Sequence, residues 1–460
     1  MKTTLLSITL GLILFAANAQ DWENVGTFGI TSGQNGRALI EWDGRLVMAG
    51  KFSALEGNAI GNIASWDGSS WTELGDGISG DVRCMAIYNG ELYIGGNISQ
   101  NATFTTDLPS VCKLSNGVWV GVSDENVVGI ADDMMVWNNE LYVVSNSWSL
   151  PNKIMKFDGN TWSQVGPDIG QFGDLHSVAS IDTFNNELYI LGRFADLGTG
   201  GANRIAKLNG NTWESVGFPT SGVENNIIKG WLNDMIVYDG KIFVGGSIHD
   251  FTGVGGGSKP RLASYDGTTW TGYPFDQNNV GEVNTLMIHD NVLYVGGEFG
   301  HYEQSEIATG VLIFDEMDDN AFMATGFYST DGPSNTTDHL AVVNGSVYAT
   351  GDFENFGSAG TSEGIAKFNG VLPTPYIASI FENEVNGKLN VYPNPVANQL
   401  FLNGSETGQL SIYNALGELV ALQNITTTDR TIDVRDLTTG TYSAVLDAEE
   451  GRFTQTVVVQ

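Results

Sequence analysis

Seven polar side chains recur at one point of an internal repeat: Arg37, Arg83, Asp132, His176, Asn233, Asn284 and Asp338. Each stands two residues ahead of an apolar one: Leu39, Met85, Met134, Val178, Met235, Leu286 or Leu340. For the fourth copy, this alignment assumes two extra residues in the hairpin that follows. A ring that mixes guanidinium donors with carboxylate and amide acceptors suits a glycan or a peptide. A water-filled channel mouth would carry the same residues with no ligand at all. Other chemistry is sparse. The five histidines (His176, His249, His289, His301 and His339) make no zinc spacing, and no Ser/His/Asp signature or phosphate loop occurs. Paired carboxylates for glycan cleavage stay open, because acidic residues are spread along the whole chain. Asp315 to Asn320 could hold calcium, but the spacing fits no EF-hand loop, and a solvated turn is the expectation. Neither a metal nor a cofactor is called for.

The elements that must position these residues also repeat. An apolar strand, an Asp/Asn turn, a Leu-Tyr strand, often a Gly-Gly, a third strand and a Trp follow one another. The second strand is anchored at Leu46, Leu92, Leu141, Leu188, Ile242, Leu293 and Val347, in steps of 46, 49, 47, 54, 51 and 54 residues. Periods of about 40–50 residues with four short strands each mark propeller blades. The expected fold is all-β: a seven-bladed β-propeller followed by a small Ig-like sandwich. With strands named a to d from the channel outward, strand d carries Trp71, Trp119, Trp162, Trp213, Trp270 and, in the sixth copy, Phe322. The seventh copy stops at Gly370 with no Trp, whereas Trp22-Glu23-Asn24-Val25-Gly26 matches Trp71 to Gly75. The N-terminal segment is therefore expected to complete the last blade, which removes an exposed sheet edge. The Asp-Gly pairs before strand d read as turn chemistry rather than ligands. Long connections at Asn97 to Pro109, Ser247 to Pro260 and Glu298 to Thr309 would open on the same face as the polar ring.

Lys2, the apolar run Leu5 to Phe15 and Ala17-Asn18-Ala19 read as a secretory signal, cleaved between Ala19 and Gln20. The run is too short to span a bilayer comfortably, and no second one follows, so no transmembrane segment is expected. With 20 Lys+Arg against 53 Asp+Glu, the formal net charge of -33 repels phosphate backbones and argues against nucleic acid. Cys84 falls on strand a and Cys112 on strand c of the second copy, about 9.6 Å apart across one strand. That exceeds disulfide reach, so both are expected as free, buried thiols.

The glycine doublets Gly95-Gly96, Gly245-Gly246 and Gly296-Gly297, with the Asn62-Ile63-Ala64-Ser65-Trp66-Asp67-Gly68 element, carry a family likeness over about residues 21 to 370. This part resembles Kelch-type and galactose-oxidase-like propellers, and more closely those of fungal cell-polarity markers. It departs from Kelch in the short step from Trp66 to Trp71, and blade three has Val144-Ser145 in place of the doublet. Such motifs imply a fold and no activity. A copper radical site of the galactose oxidase kind needs a cysteine bonded to a tyrosine plus histidines, and Cys84 and Cys112 have no identifiable partner.

Past Gly370 the pattern changes. Residues 371–388, with Pro373 and Pro375, read as a linker, and 389–460 as seven short alternating strands. Tyr392-Pro393-Asn394-Pro395, then Ile412 to Val420 with Gly417, then Asp436 to Tyr442 with Gly440, resemble the type A C-terminal sorting domain of the type IX secretion system. The resemblance implies a Bacteroidetes-type route: through the periplasm, then the outer-membrane translocon, with a sortase-like peptidase removing the domain. The whole reads as an exported propeller that binds a glycan or protein at or outside the cell surface. A carbohydrate-active enzyme and a structural surface component are the alternatives, and a binder is favoured over an enzyme.

Overall fold

A computed structural model describes residues 22–28, 35–123, 128–148, 151–170, 177–194, 197, 204–216, 228–251, 260–274, 281–299, 309–314, 322–324, 336–352, 364–368, 385–388 and, with short gaps, 390–459. The residues read as a secretory signal, His176, residues 315–320 and Gly417 lie outside them. Two compact units divide the chain at Gly370 and Val371.

The first unit holds seven four-stranded antiparallel sheets among the described residues. Their a and b strands are Asn35–Trp42 and Arg45–Lys51, Ile78–Tyr88 and Glu91–Asn101, Ile130–Trp137 and Glu140–Asn146, Ser177–Phe184 and Glu187–Arg193, Ile228–Tyr238 and Lys241–Phe251, Val283–His289 and Val292–Phe299, and Thr336–Val343 and Ser346–Asp352. Each a–b turn has two residues, and both take positive φ: Asp43-Gly44, Asn89-Gly90, Asn138-Asn139, Asn185-Asn186, Asp239-Gly240, Asp290-Asn291 and Asn344-Gly345. That is the hairpin whose twist matches the strands, and it explains the Asx and Gly residues found there. Every a strand packs beside the next, and the last packs beside the first, so the sheets form a closed circle.

The seventh sheet takes its d strand, Trp22–Thr27, from the other end of the unit, where Trp22 lies opposite Phe368. In the sixth, Phe322 lies opposite Phe314, the register that Trp71 holds against Trp66. The indoles do more than fill space. Each Nε1–H donates to a main-chain carbonyl at the end of the previous blade's d strand: Trp71 to Val25 (2.6 Å), Trp119 to Leu74 (3.0 Å), Trp162 to Val122 (2.6 Å), Trp213 to Pro167 (3.3 Å) and Trp270 to Val216 (3.2 Å). The glycine four residues after the previous tryptophan (Gly26, Gly75 and Gly166) gives room for the rings of Trp71, Trp119 and Trp213, whereas Ser123 stands at that place before Trp162. A Cβ on Gly26 would come within 2.8 Å of Trp71 Nε1, and one on Gly75 within 2.9 Å of Trp119 Nε1. The Trp-x-x-x-Gly pattern is therefore an interblade joint.

Both cysteines are buried and free, with Cys84 opposite Gly95 and Cys112 opposite Ile94 on either side of one strand. Burial pushes both thiols up, Cys112 to about 12, so neither forms the reactive thiolate near neutral pH. Unfolding the protein without reductant should release two titratable thiols per chain, with almost none reacting in the folded state. A count of zero after unfolding would contradict this strand placement.

The second unit has a five-stranded sheet (Val385–Lys388, Gly408–Tyr413, Leu419–Ile425, Gly440–Ala448 and Gly451–Val459) and a three-stranded one (Asn390–Tyr392, Gln399–Asn403 and Thr431–Asp433). Leu400, Leu410, Ile412, Ile432, Leu446 and Val457 form its buried core. Val385–Lys388 pairs in parallel with Gly451–Val459, so the unit begins inside the stretch read as a linker. The Val385-Asn386-Gly387-Lys388 run is too short and polar to show a strand period. Pro393 and Pro395 follow the Asn390–Tyr392 strand in a bend instead of extending it.

Candidate binding face

The repeated position on strand a is a β-bulge, occupied by six polar side chains and, in blade four, by Ala179. In six sheets the a–b register skips one residue of strand a: Arg37, Arg83, Ala179, Asn233, Asn284 or Asp338. In the third, Asp132 and Asp133 together face Val144. A bulge re-aims its extra residue, here toward the channel. The partner strand answers with glycine. A Cβ on Gly50, Gly96, Gly192, Gly246, Gly297 or Gly351 would lie within 2.3 Å of the strand-a carbonyl oxygen two residues before the bulge residue. The second glycine of each doublet thus marks the ring position across from it.

Blade four needs a correction. Its hairpin has the same two-residue turn as the others, with no extra residues, so Ala179 occupies the position assigned above to His176. A small apolar residue at a polar-ring position hid the register.

Around the mouth the ring residues grip one another. Arg37 Nε lies 2.8 Å from Asp81 Oδ1, and Arg83 bridges Asp81 (3.0 Å) and Asp132. Asn146 donates to Asp132 and, at 2.8 Å, to the Val178 carbonyl. Asn233 reaches the Val283 carbonyl (2.9 Å) and Asn284 Oδ1 (3.3 Å), while Asn284 reaches the Thr337 carbonyl (3.2 Å). Asn35 closes the circuit on Asp338 at 2.9 Å. The chain of contacts breaks only where Ala179 stands, between blades four and five, among the described residues. Arg83, Asp132, Asn233, Asn284 and Asp338 line a channel cavity of about 200 Å³, below the ~300–1,000 Å³ of ordinary small-molecule pockets.

A second layer, one residue further along, was not foreseen. Asp133 accepts from Met134 N (2.8 Å) and from Ile181 N of the next blade (2.9 Å). Asp234 accepts from Met235 N (2.8 Å) and Leu286 N of the next blade (2.7 Å). His339 Nδ1 accepts from Leu39 N at 3.3 Å, tying blade seven to blade one. These side chains stitch neighbouring blades through main-chain donors near the bulge. The signal was available: a second polar residue follows Asp132, Asn233 and Asp338 directly.

The layer lies deep in the ring and lines the channel cavity. Burial pushes Asp133 and Asp234 up, each to about 7, and pushes His339 down to about 4. The signs oppose. A raised carboxyl contributes stability that is full below about 4 and is lost as pH rises through 7. The depressed histidine contributes stability that is present above 6.5 and is lost as pH falls through 4. Asp234→Asn should therefore shrink the drop in melting temperature between pH 5 and pH 8 by a few degrees, about 1–2 °C per kcal/mol in a ring this size. A pH profile identical to that of the parent protein would rule out Asp234 as a contributor.

By contrast, the turn aspartates cap their own hairpins. Asp67 accepts from Ser69 N and Ser70 N, and Asp266 from Thr268 N and Thr269 N, which holds both carboxyls below their ordinary range. They are turn residues.

Exposed aromatic surface gathers on the b–c loop face. Phe104, in blade two's b–c connection, is 68% exposed, and Trp148, in blade three's, is 72% exposed. Trp231, near the start of blade five's a strand, is 42% exposed, with the Arg193 guanidinium 3.2 Å from its ring centroid.

Comparison with known proteins bears on the two units separately. Residues 390–460 match the family described as the secretion system C-terminal sorting domain. The tail is a sorting domain. The chain is accordingly an exported protein, bound for the cell surface or the extracellular space, and the tail engages type IX secretion machinery. Residues 39–190 match the Rax2 C-terminal beta propeller domain, in agreement with the propeller unit. A search of curated proteins found no match. Solved structures similar to the chain include the extracellular domain of BT4673 from B. thetaiotaomicron, at 11% identity and TM-score 0.46. That alignment covers 93% of this chain and 58% of the other, so the chain spans little more than half of that relative. BamB from Moraxella catarrhalis (14%, TM-score 0.38, 75% and 96% covered) and YjhT (14%, TM-score 0.36, 63% and 96% covered) are also similar. Likenesses at this level carry no functional argument. No helix among the described residues is long and apolar enough to cross a membrane.

Proposed function

We propose that the propeller is a binding module, released or displayed outside the cell, which takes a glycan across its b–c loop face. The observation that carries this reading is the exposure of Phe104 and Trp148 on adjacent blades of that face. Large aromatic side chains left in water on one side of a scaffold mark a contact surface. The six polar bulge residues and Ala179 lie at the mouth beneath. Its charges are mutually satisfied, and its cavity is too small for an extended sugar. Asp133 and Asp234 resemble a catalytic pair in their raised pKa, but both oxygens of each are occupied by main-chain donors.

Export by the sorting domain would place this face among polysaccharides and surface proteins. The test is a glycan array with the mature protein, followed by Trp148→Ala. Retention without product, weakened about tenfold in the variant, is expected. Release of shortened sugars would favour the carbohydrate-active alternative, and binding to no glycan would sink this reading.

A further inference from the structure

Arg193 ends the b strand of blade four, and Arg204 immediately precedes that blade's c strand, Ile205–Asn209. They are neighbours across the sheet, since Gly192 N donates to the Arg204 carbonyl at 2.9 Å. Both stand on the b–c loop face, beside the gap that Ala179 leaves in the polar circuit. The Arg193 guanidinium carbon sits over the Trp231 ring of blade five, 3.2 Å from its centroid, bridging that gap. A guanidinium held against an indole keeps its N–H edge free and its geometry fixed. Arg204 has a buried Nη1 with no acceptor, and burial together with the like charge of Arg193 pushes its pKa down.

The contrast with other cations in the chain is informative. Arg37, Arg83, Lys113, Lys156 and Lys207 each have a carboxylate within 3.0 Å. Acidic residues outnumber basic ones 53 to 20. Among the described residues, Arg193 and Arg204 have no carboxylate partner; Arg261 of blade five also lacks one and has a buried Nε with no acceptor, but its Nη1 lies 3.4 Å from Ser247 Oγ and from the Ile248 carbonyl. An orphaned buried donor beside a second guanidinium calls for an anion.

We infer that Arg193 and Arg204, with Trp231 holding the first in place, form a subsite for the anionic group of an acidic glycan, a carboxylate or sulfate carried on a sugar ring. The inference rests on the glycan-binding reading above and deepens it. The flanking surface favours a sugar over an acidic peptide. Trp148, on the same face of the adjoining blade, is 72% exposed, and a uronic acid residue presents a flat C–H face next to a single charge.

The experiment measures binding of the mature, full propeller to polygalacturonate, chondroitin sulfate, a neutral glucan and poly-glutamate at 50 and 300 mM salt. Arg193→Gln and Arg204→Gln should each weaken binding to the acidic glycans at least tenfold and leave the neutral glucan unaffected. Arg193→Lys should recover only part, because it keeps the charge and loses the planar fork. Thermal melts identify a variant that fails to fold, and Trp231→Ala, which frees Arg193 without removing charge, then supplies the second test with the same expected loss. Unchanged acidic-glycan binding in the folded variants overturns the subsite. So does binding of the neutral glucan alone, which leaves the glycan-binding reading standing. Preference for poly-glutamate with no glycan bound overturns both.

Discussion

Deleting Asp21 to Phe28 should unfold the whole ring rather than fray one end of it. The segment supplies the outermost strand of the seventh sheet, pairing Trp22 through Thr27 with Gly364–Phe368. It also supplies the Val25 carbonyl that accepts from Trp71, and so joins blade seven to blade one. Phe28 packs against Phe52 in the first blade's core at 5.3 Å between ring centroids. Trp22 is almost wholly buried, and its rings lie 5.1 Å from Phe368. Losing one such aromatic costs about 3–5 kcal/mol. Net stabilities of folded domains are only about 5–15 kcal/mol, so the deletion removes most of the margin. Trp22→Ala should lower the melting temperature by several degrees while keeping one transition. The deletion should leave soluble protein only at low yield, with no cooperative melt. A cooperative melt at the parental temperature in the deletion would show that the circle closes by other means.

The sequence made this closure legible for a specific reason. The Trp-x-x-x-Gly signature is local, and a closed circle must account for every copy of it. The two-residue hairpins were legible too, because their left-handed turns admit few residue types. What stayed hidden was whatever the bulge decides. A one-residue register shift leaves the apolar pattern of strand b intact, and a ring residue as plain as Ala179 gives no polar signal. Counting from Gly192, which stands where other blades carry the second glycine of the doublet, would have located it, because that glycine pairs with Val178 beside the bulge. The stitching by Asp133, Asp234 and His339 was hidden for another reason. Its acceptors are main-chain N–H groups of the next blade, which carry no sequence signature. The Arg193–Trp231 stack joins residues from two blades that no repeat alignment would pair. Periodicity thus reported the scaffold, and the contacts between copies, where the chemistry lies, had to come from three dimensions.

Removing Leu389 to Gln460 should halt export without unfolding the propeller. The tail has its own core, built on Leu400, Leu410 and Ile432, and forms a compact unit separate from residues up to Gly370. The truncated propeller should therefore melt at the parental temperature. Its location is what changes: it should accumulate in the periplasm, with little in the medium or on the surface. Truncation also shortens the chain, so a point variant separates the causes. Leu410→Asp puts a charge at a position 1% exposed, where an unpaired carboxylate is costly enough to unfold so small a sandwich. It should reproduce the export block at full chain length. A second surface distinguishes folding of the tail from its recognition. Tyr392 and Phe401 stack at 5.8 Å between centroids and stay largely exposed, 54% and 39%, so Tyr392→Ala should spare the fold. If the secretion machinery reads the Tyr-Pro-Asn-Pro segment itself, that variant will also be retained. Normal secretion of Leu410→Asp would remove the folded sorting domain from the export step, whatever the family match.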